Sequence, residues 1–324
     1  TTMSDVIKIK KGLDLPISGT AQRKLNDARN IRRYAVKPAD YVGLTPKLLV
    51  QEGDLVEAGS PLFCEKRDAR VVFTSPVSGK VSAVVRGEKR LLLAVVVETE
   101  DSSVAFHTDA KLTDAQSIKE AMLQTGLWTA LRQRPFGCVA NPDTTPKAIF
   151  VSAFDSAPLA PDFDYVLQGK EQEFAKGLEL LAKLANGKLH VSFRREQKMI
   201  NAAKGIAGVE VHTFEGPHPA GLVGTQIAAI DPINKGDIVW TMNPQDVVTL
   251  GRLALTGDYR PERVIAVAGP VVKNPQYYRL IAGANLKDII NGTQLETNEK
   301  GNGYRYISGN VLSGTTIKAD DFIG

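Results

Sequence analysis

The chain has 324 residues, 43% apolar and 23% charged, a balance that builds folded cores and excludes a disordered chain. Lys and Arg number 40 against 36 Asp and Glu, and the resulting net charge of +4 is too mild to argue for a nucleic-acid partner. The longest strictly apolar run, Leu91–Val97, falls well short of the ~20 residues a membrane helix needs. The basic start Val6–Lys11 lacks the apolar core of a secretory signal, so a soluble, cytoplasmic chain of two or three domains is expected.

Residues 3–112 predict short β segments separated by Gly and Pro: Leu48–Val50, Val71–Phe73, Val81–Val85 and Leu91–Val97. Residues 113–260 alternate helix with strand. Thr113-Asp114-Ala115-Gln116 has the form of a capping box and opens a helix running towards Gly126. Strand Ala148–Ala153, amphipathic helix Glu171–Asn186, strand Leu189–Phe193, helix Glu196–Lys204 and strand Val209–Phe214 follow, an order that implies parallel pairing with covering helices. Residues 261–324 change texture again, with strands Arg263–Ala268 and Tyr277–Ile281, a short helix Leu286–Ile290 and a turn at Asn291-Gly292. That order fits a small β-grasp module.

The motif with the most local detail is Val50-x-Glu52-Gly53-Asp54 through Ala58-Gly59-x-Pro61-Leu62, followed by Ser75-Pro76-Val77-Ser78-Gly79. It resembles the biotinyl/lipoyl-carrier hammerhead barrel. Active carriers place a Lys at the hairpin tip, where this chain has Asp68, and a carboxylate cannot form the amide to biotin or lipoate. Lys66 is two residues away in a hairpin, where register fixes side-chain direction, so an unmodified structural barrel is expected. Nor does the α/β stretch carry a phosphate cradle: Phe154–Pro161 contains two prolines and no glycine, and no G-x-G-x-x-G or Walker A motif occurs.

Cys64 and Cys138 form no C-x-x-C pair, so neither a cysteine-ligated cluster nor a disulfide framework is expected. His212 and His218 flank Glu215 without an accepted ligand spacing, and the sequence assigns no metal ligand. Two segments remain. Gly126–Phe136 gathers Trp128, Arg132, Arg134 and Phe136, a composition suited to a ring ligand with carbonyl oxygens, to a protein interface, or to a helix end packed on the core. Gly216–Thr225 is too rich in Gly and Pro for a helix and must be a shaped loop.

Ile7–Gly19, Gly126–Phe136, Gly216–Thr225, Val267–Pro275 and Ile307–Thr315 together resemble the NqrA family, peripheral subunits of the Na+-translocating NADH:quinone reductase, from about Val6 to the last residue. More distant likenesses are the C subunit of the Rnf complex and the flavin-carrying subunit of complex I. The resemblance implies a hammerhead barrel, a Rossmann-like α/β domain and a β-grasp domain of the soluble-ligand-binding (SLBB) type. It also implies that the family's C-terminal helical domain lies beyond this sequence. Members of the family sit on the cytoplasmic face of the bacterial inner membrane, docked to membrane subunits, especially NqrB. Their six-subunit complex oxidises NADH, reduces ubiquinone and exports Na+, with flavins and Fe–S centres in other subunits. By that likeness this chain carries no covalent or motif-bound cofactor and has no turnover alone. Trp128, Arg132, Arg134 and Phe136 are the quinone-contact candidates, with Tyr41, Gly43 and His218 as outlying ones. The alternative is a structural assembly component with no small-molecule site of its own.

Overall fold

The computed structural model describes residues 6–28, 31–102, 105–290, 295–296 and 303–324. The turn expected at Asn291-Gly292 lies outside them. Strands β1 (Ile7–Lys8) and β2 (Gln22–Asp27) open the chain, and both find their partners far downstream. The sandwich that follows has two antiparallel sheets. One contains β3 (Arg33–Val36), β5 (Leu55–Val56), β8 (Gly79–Arg86) and β9 (Leu92–Glu98); the other contains β4 (Pro46–Leu48), β6 (Pro61–Glu65) and β7 (Val72–Thr74). Their shared core holds Leu62, Phe63, Phe73, Val77, Val81, Val95 and Val97, with Phe63 and Phe73 stacked at 4.8 Å. The unbroken apolar run in β9 has a physical cause. Val95 and Val97 face this core, while Ala94 and Val96 face Phe322 from the far end of the chain, so the strand is buried on both sides.

β10 (Phe106–His107) leads to α1 (Ala115–Thr125). The capping box is shifted one residue from the sequence expectation: the Asp114 carboxylate accepts from the Ser117 amide at 2.8 Å and Ser117 Oγ accepts from the Asp114 amide at 3.1 Å. A short polar acceptor in extended backbone caps better than the Thr113 before it. The α/β unit continues through β11 (Arg132–Arg134), β12 (Cys138–Val139), β13 (Ile149–Ser152), α2 (Phe163–Val166), α3 (Glu171–Leu184), β14 (Leu189–Arg194), α4 (Ile200–Ala203), β15 (Val209–Glu215), α5 (Val223–Ile230), β16 (Val239–Thr241) and α6 (Pro244–Thr256). The helix expected over Glu196–Lys204 shrinks to its last turn, α4, because Glu196 takes a left-handed φ of 74°.

The sheet order is β1-β15-β14-β13-β16-β11-β12, parallel from β1 to β16, with β11 and β12 antiparallel at the far edge. α1, α3 and α6 cover one face and α5 the other. α3 and α6 meet at backbone distance: a Cβ on Gly251 would lie 1.7 Å from the Glu173 carbonyl oxygen, and one on Gly177 2.0 Å from that of Val247.

β17 (Asp258–Tyr259) pairs with β10, and the last unit contains β18 (Glu262–Val267), β19 (Gln276–Ile281), α7 (Leu286–Ile290), β20 (Tyr306–Ser308) and β21 (Thr315–Ile317). Here β2 joins β19 in parallel, just as β1 joins β15. The opening segment, grouped by texture with the barrel, is therefore shared between the other two sheets.

Candidate functional site

The sheet edge formed by β11 and β12 gathers most of the residues expected at a ligand. Gly126, in the left-handed region at φ 81°, ends α1, and a single 3-10 turn over Leu127–Ala130 turns the chain into the edge strand. That turn drives Trp128 inward. Its ring is 1% exposed, its Nε1–H donates to the Ala140 carbonyl at 2.8 Å, and it meets the Trp240 ring edge-on at 5.4 Å. Trp128, expected to touch a ligand, thus lies in the core beneath the edge, because an indole whose N–H has a backbone acceptor can be buried without loss.

β11 then brings out Arg132 and Arg134, and the Arg134–Gly137 turn leaves Phe136 74% exposed. The sandwich supplies the other wall. A 3-10 turn at Pro38–Asp40 leads to Tyr41, whose ring packs edge-on against Phe73 at 4.5 Å. The Arg132 guanidinium lies over that ring, 4.5 Å from its centroid, and donates to the Asp40 carbonyl at 3.3 Å. Burial raises the Tyr41 phenol above its ordinary pKa, so it stays protonated. Val42 bridges to Cys138 in parallel, which sets Gly43, in the left-handed region with open space around it, beside the β11–β12 turn.

Arg134 is the unusual member. Burial and neighbouring Arg132 both lower its pKa from the ordinary arginine value, and its Nε is buried with no hydrogen-bond partner among the described residues. A half-buried guanidinium two residues from an exposed phenyl ring offers hydrogen bonding and stacking to one planar ligand.

His218 does not join this group. It sits over the carboxyl ends of β13 and β15, where its Nδ1 lies 3.1 Å from Ser156 Oγ. Its amide donates to Asp14 and its carbonyl accepts from Leu13. Nor does His218 meet His212. His212 instead meets His190: Nε2 of His212 is 3.0 Å from Nδ1 of His190, and Glu210 reaches both imidazoles. His190 stands between Leu189 and Val191 in a buried strand, a pattern that in sequence is indistinguishable from core.

The crevice at the carboxyl ends of β13 and β16 is filled from within. The Ala157 amide donates to Asp155 and the Gly221 amide to Ser156 Oγ. At the α6 N-terminus, Gln245 exchanges two hydrogen bonds with the Val264 backbone, and buried Asp246 pairs with Arg263, so β18 lies across it. On the sandwich, Asp68 stands between β6 and β7. Arg70 holds its carboxylate below its usual pKa and also reaches Asp143 of the α/β unit at 2.6 Å. Cys64 and Cys138 are both free thiols. No helix among the described residues is long and apolar enough to cross a membrane.

This arrangement, a barrel-sandwich unit leading into an α/β unit and a small C-terminal unit, is also what family comparison finds. Residues 7–100 match the NqrA N-terminal barrel-sandwich hybrid domain, residues 113–259 the NqrA second alpha/beta domain, and residues 264–319 the NQRA C-terminal domain. Curated relatives agree over nearly the whole chain. The NqrA subunit of the Na(+)-translocating NADH-quinone reductase from Actinobacillus pleuropneumoniae serotype 5b is 42% identical over 98% of this chain and 72% of its own length. Its counterpart from Pseudomonas aeruginosa PAO1 is 43% identical over 96% of this chain and 69% of its own, and that from Vibrio atlanticus 41% over the same shares. The chain belongs to the NqrA family of Na(+)-translocating NADH-quinone reductase subunits. Among solved structures, the NAD+-reducing [NiFe]-hydrogenase in its H2-reduced state aligns with a TM-score of 0.41 at 17% identity, over 60% of this chain and 41% of that one.

Proposed function

We propose that this chain is the peripheral component on the cytoplasmic face of the bacterial inner membrane that presents a quinone-binding edge to the membrane subunits of a Na+-translocating NADH:ubiquinone reductase, NqrB foremost. Its relatives carry that complex's name. The observation that carries the site assignment is half-buried Arg134, a guanidinium with no acidic partner among the described residues, on the strand that leads to exposed Phe136 and beside the Arg132–Tyr41 stack. In this reading Arg134 donates to a quinone carbonyl, Phe136 covers the ring, Gly43 leaves room for it, and Trp128 holds β11 from below. NADH, flavin and Fe–S chemistry belong to other subunits, and Na+ export is coupled elsewhere.

Finer fold labels follow from the same geometry. The parallel order β15-β14-β13-β16 supports a Rossmann-like α/β unit, the two-sheet sandwich with its β6–β7 tip supports a hammerhead, and the β18–β19–β2 sheet with α7 supports a β-grasp unit of SLBB type. A carboxylate at the tip and a crevice closed by β18 support a chain that carries no lipoyl, biotinyl or dinucleotide group.

The test is titration of the chain with a short-chain ubiquinone. Arg134→Gln weakens binding about 10- to 100-fold, the effect of losing a charge-assisted hydrogen bond of ~1.5–3 kcal/mol. Unchanged affinity in both Arg134→Gln and Phe136→Ala removes the site. A second reading, an assembly surface without a ligand, is favoured by the neighbouring exposure of Phe136 and Val42, 74% and 60%. It predicts that Phe136→Ala abolishes capture of NqrB while no ubiquinone binds the wild-type chain.

A further inference from the structure

We propose that His190, Glu210 and His212 form a binding site for a borderline first-row divalent cation, best matched by Zn2+, on the α5 face of the seven-stranded sheet. The site is independent of whatever binds the Tyr41–Phe136 edge. Parallel register places His190 of β14 opposite Glu210 of β15 and Ser192 opposite His212, so all three side chains leave the sheet on one face.

Their ligating atoms form a small triangle. His190 Nδ1 is 3.0 Å from His212 Nε2 and 3.4 Å from a Glu210 carboxylate oxygen, and that oxygen is 3.9 Å from His212 Nε2. A tetrahedral ion with ligands at ~2.0–2.1 Å holds neighbouring donor atoms roughly 3.3–3.4 Å apart, so side-chain movements of about half an ångström or less close the site. Two imidazoles and one carboxylate suit Zn2+ and its neighbours; Na+, Mg2+ and Ca2+ ask for all-oxygen shells.

The surroundings favour a cation. Burial lowers the pKa of both imidazoles, which keeps them in the neutral form that ligates. The groups facing them are Glu210 and, beyond it, Asp231, whose carboxylate is held by Lys147 of the β13 side. His190 is fixed from behind by the Phe150 ring, stacked at 4.7 Å, while the Glu210 side chain is 65% exposed and leaves an entry path. Three protein ligands leave a fourth position for water, and the ion ties β14 to β15.

The experiment strips the chain of metal and titrates ZnCl2 against a chromophoric chelator. Wild type binds one Zn2+, and His212→Gln and Glu210→Gln each weaken it about tenfold or more, at least the effect of disturbing a second-shell partner. Glu210 lies at the rim, its side chain 65% exposed, so its variant does not depend on the buried imidazoles. His107→Gln and Cys138→Ser leave the affinity unchanged. Independently of any variant, Zn2+-soaked crystals show one anomalous peak between the three side chains. Absence of a bound equivalent, full affinity in both His212→Gln and Glu210→Gln, or thiolate charge-transfer bands with Co2+ overturns the assignment.

Discussion

The two edges of the seven-stranded sheet begin from similar sequence chemistry and end in opposite states. At one edge, Gly216–Gly221 is rich in Gly and Pro and carries His218; at the other, Arg134–Gly137 carries Pro135 and Phe136. The first is sealed. β1 adds a strand to β15, the Leu13 amide donates to the His218 carbonyl, and a Cβ on Gly12 would lie 2.0 Å from that oxygen. The second is open, with Phe136 in solvent and, among the described residues, nothing within 4 Å of where a Gly43 Cβ would stand. Turn-forming residues specify a shaped loop, but whether that loop is free depends on which distant segment reaches it.

The contrast between the edges is challenged most forcefully from below the open one. Trp128→Ala costs about 3–5 kcal/mol in urea unfolding, as large-to-small changes of buried aromatics do. At temperatures where that variant stays folded its ubiquinone affinity is within about threefold of wild type, as expected of a ring that supports without touching (a direct contact is worth ~0.5–1.5 kcal/mol). At the sealed edge, Gly12→Ala forces the opening segment off the His218 loop and costs about 1–3 kcal/mol by overpacking. A stability loss below that range shows the edge to be looser than its close contacts indicate. Arg134→Gln separates binding from folding: the ubiquinone affinity falls about 10- to 100-fold, while the unfolding midpoint holds or rises because a half-buried guanidinium with a desolvated Nε has been removed. Smallest is Phe136→Ala, which leaves stability within about 0.5 kcal/mol, as at most exposed positions, and is read by calorimetric ubiquinone titration as a loss of roughly 3- to 10-fold.

The same two edges differ in how far they could be read in sequence. Arg132, Arg134 and Phe136 belong to one strand and turn, so their grouping was local and visible. Tyr41 and Gly43 join them through the bridge from Val42 to Cys138 and the contacts of Arg132 with Tyr41 and Asp40, which no local pattern encodes. Trp128 misled because a buried indole and a ligand-stacking indole have the same composition around them; only the Ala140 acceptor distinguishes the two. His190 and His212 were separated by 22 residues and met only through parallel register.

Local sequence was enough to set the elements and their order: Gly126 stopping α1, the apolar spacing of α3, and the strand–helix alternation that requires parallel pairing. These follow from backbone propensity and periodicity within a dozen residues. It took the folded chain to send β1 and β2 from the barrel to other sheets, to close the α6 terminus with β18, and to bring three separate side chains together beside α5. Those outcomes rest on hydrogen-bonding edges and buried faces supplied by distant segments, and such pairings have no signature at either segment taken alone.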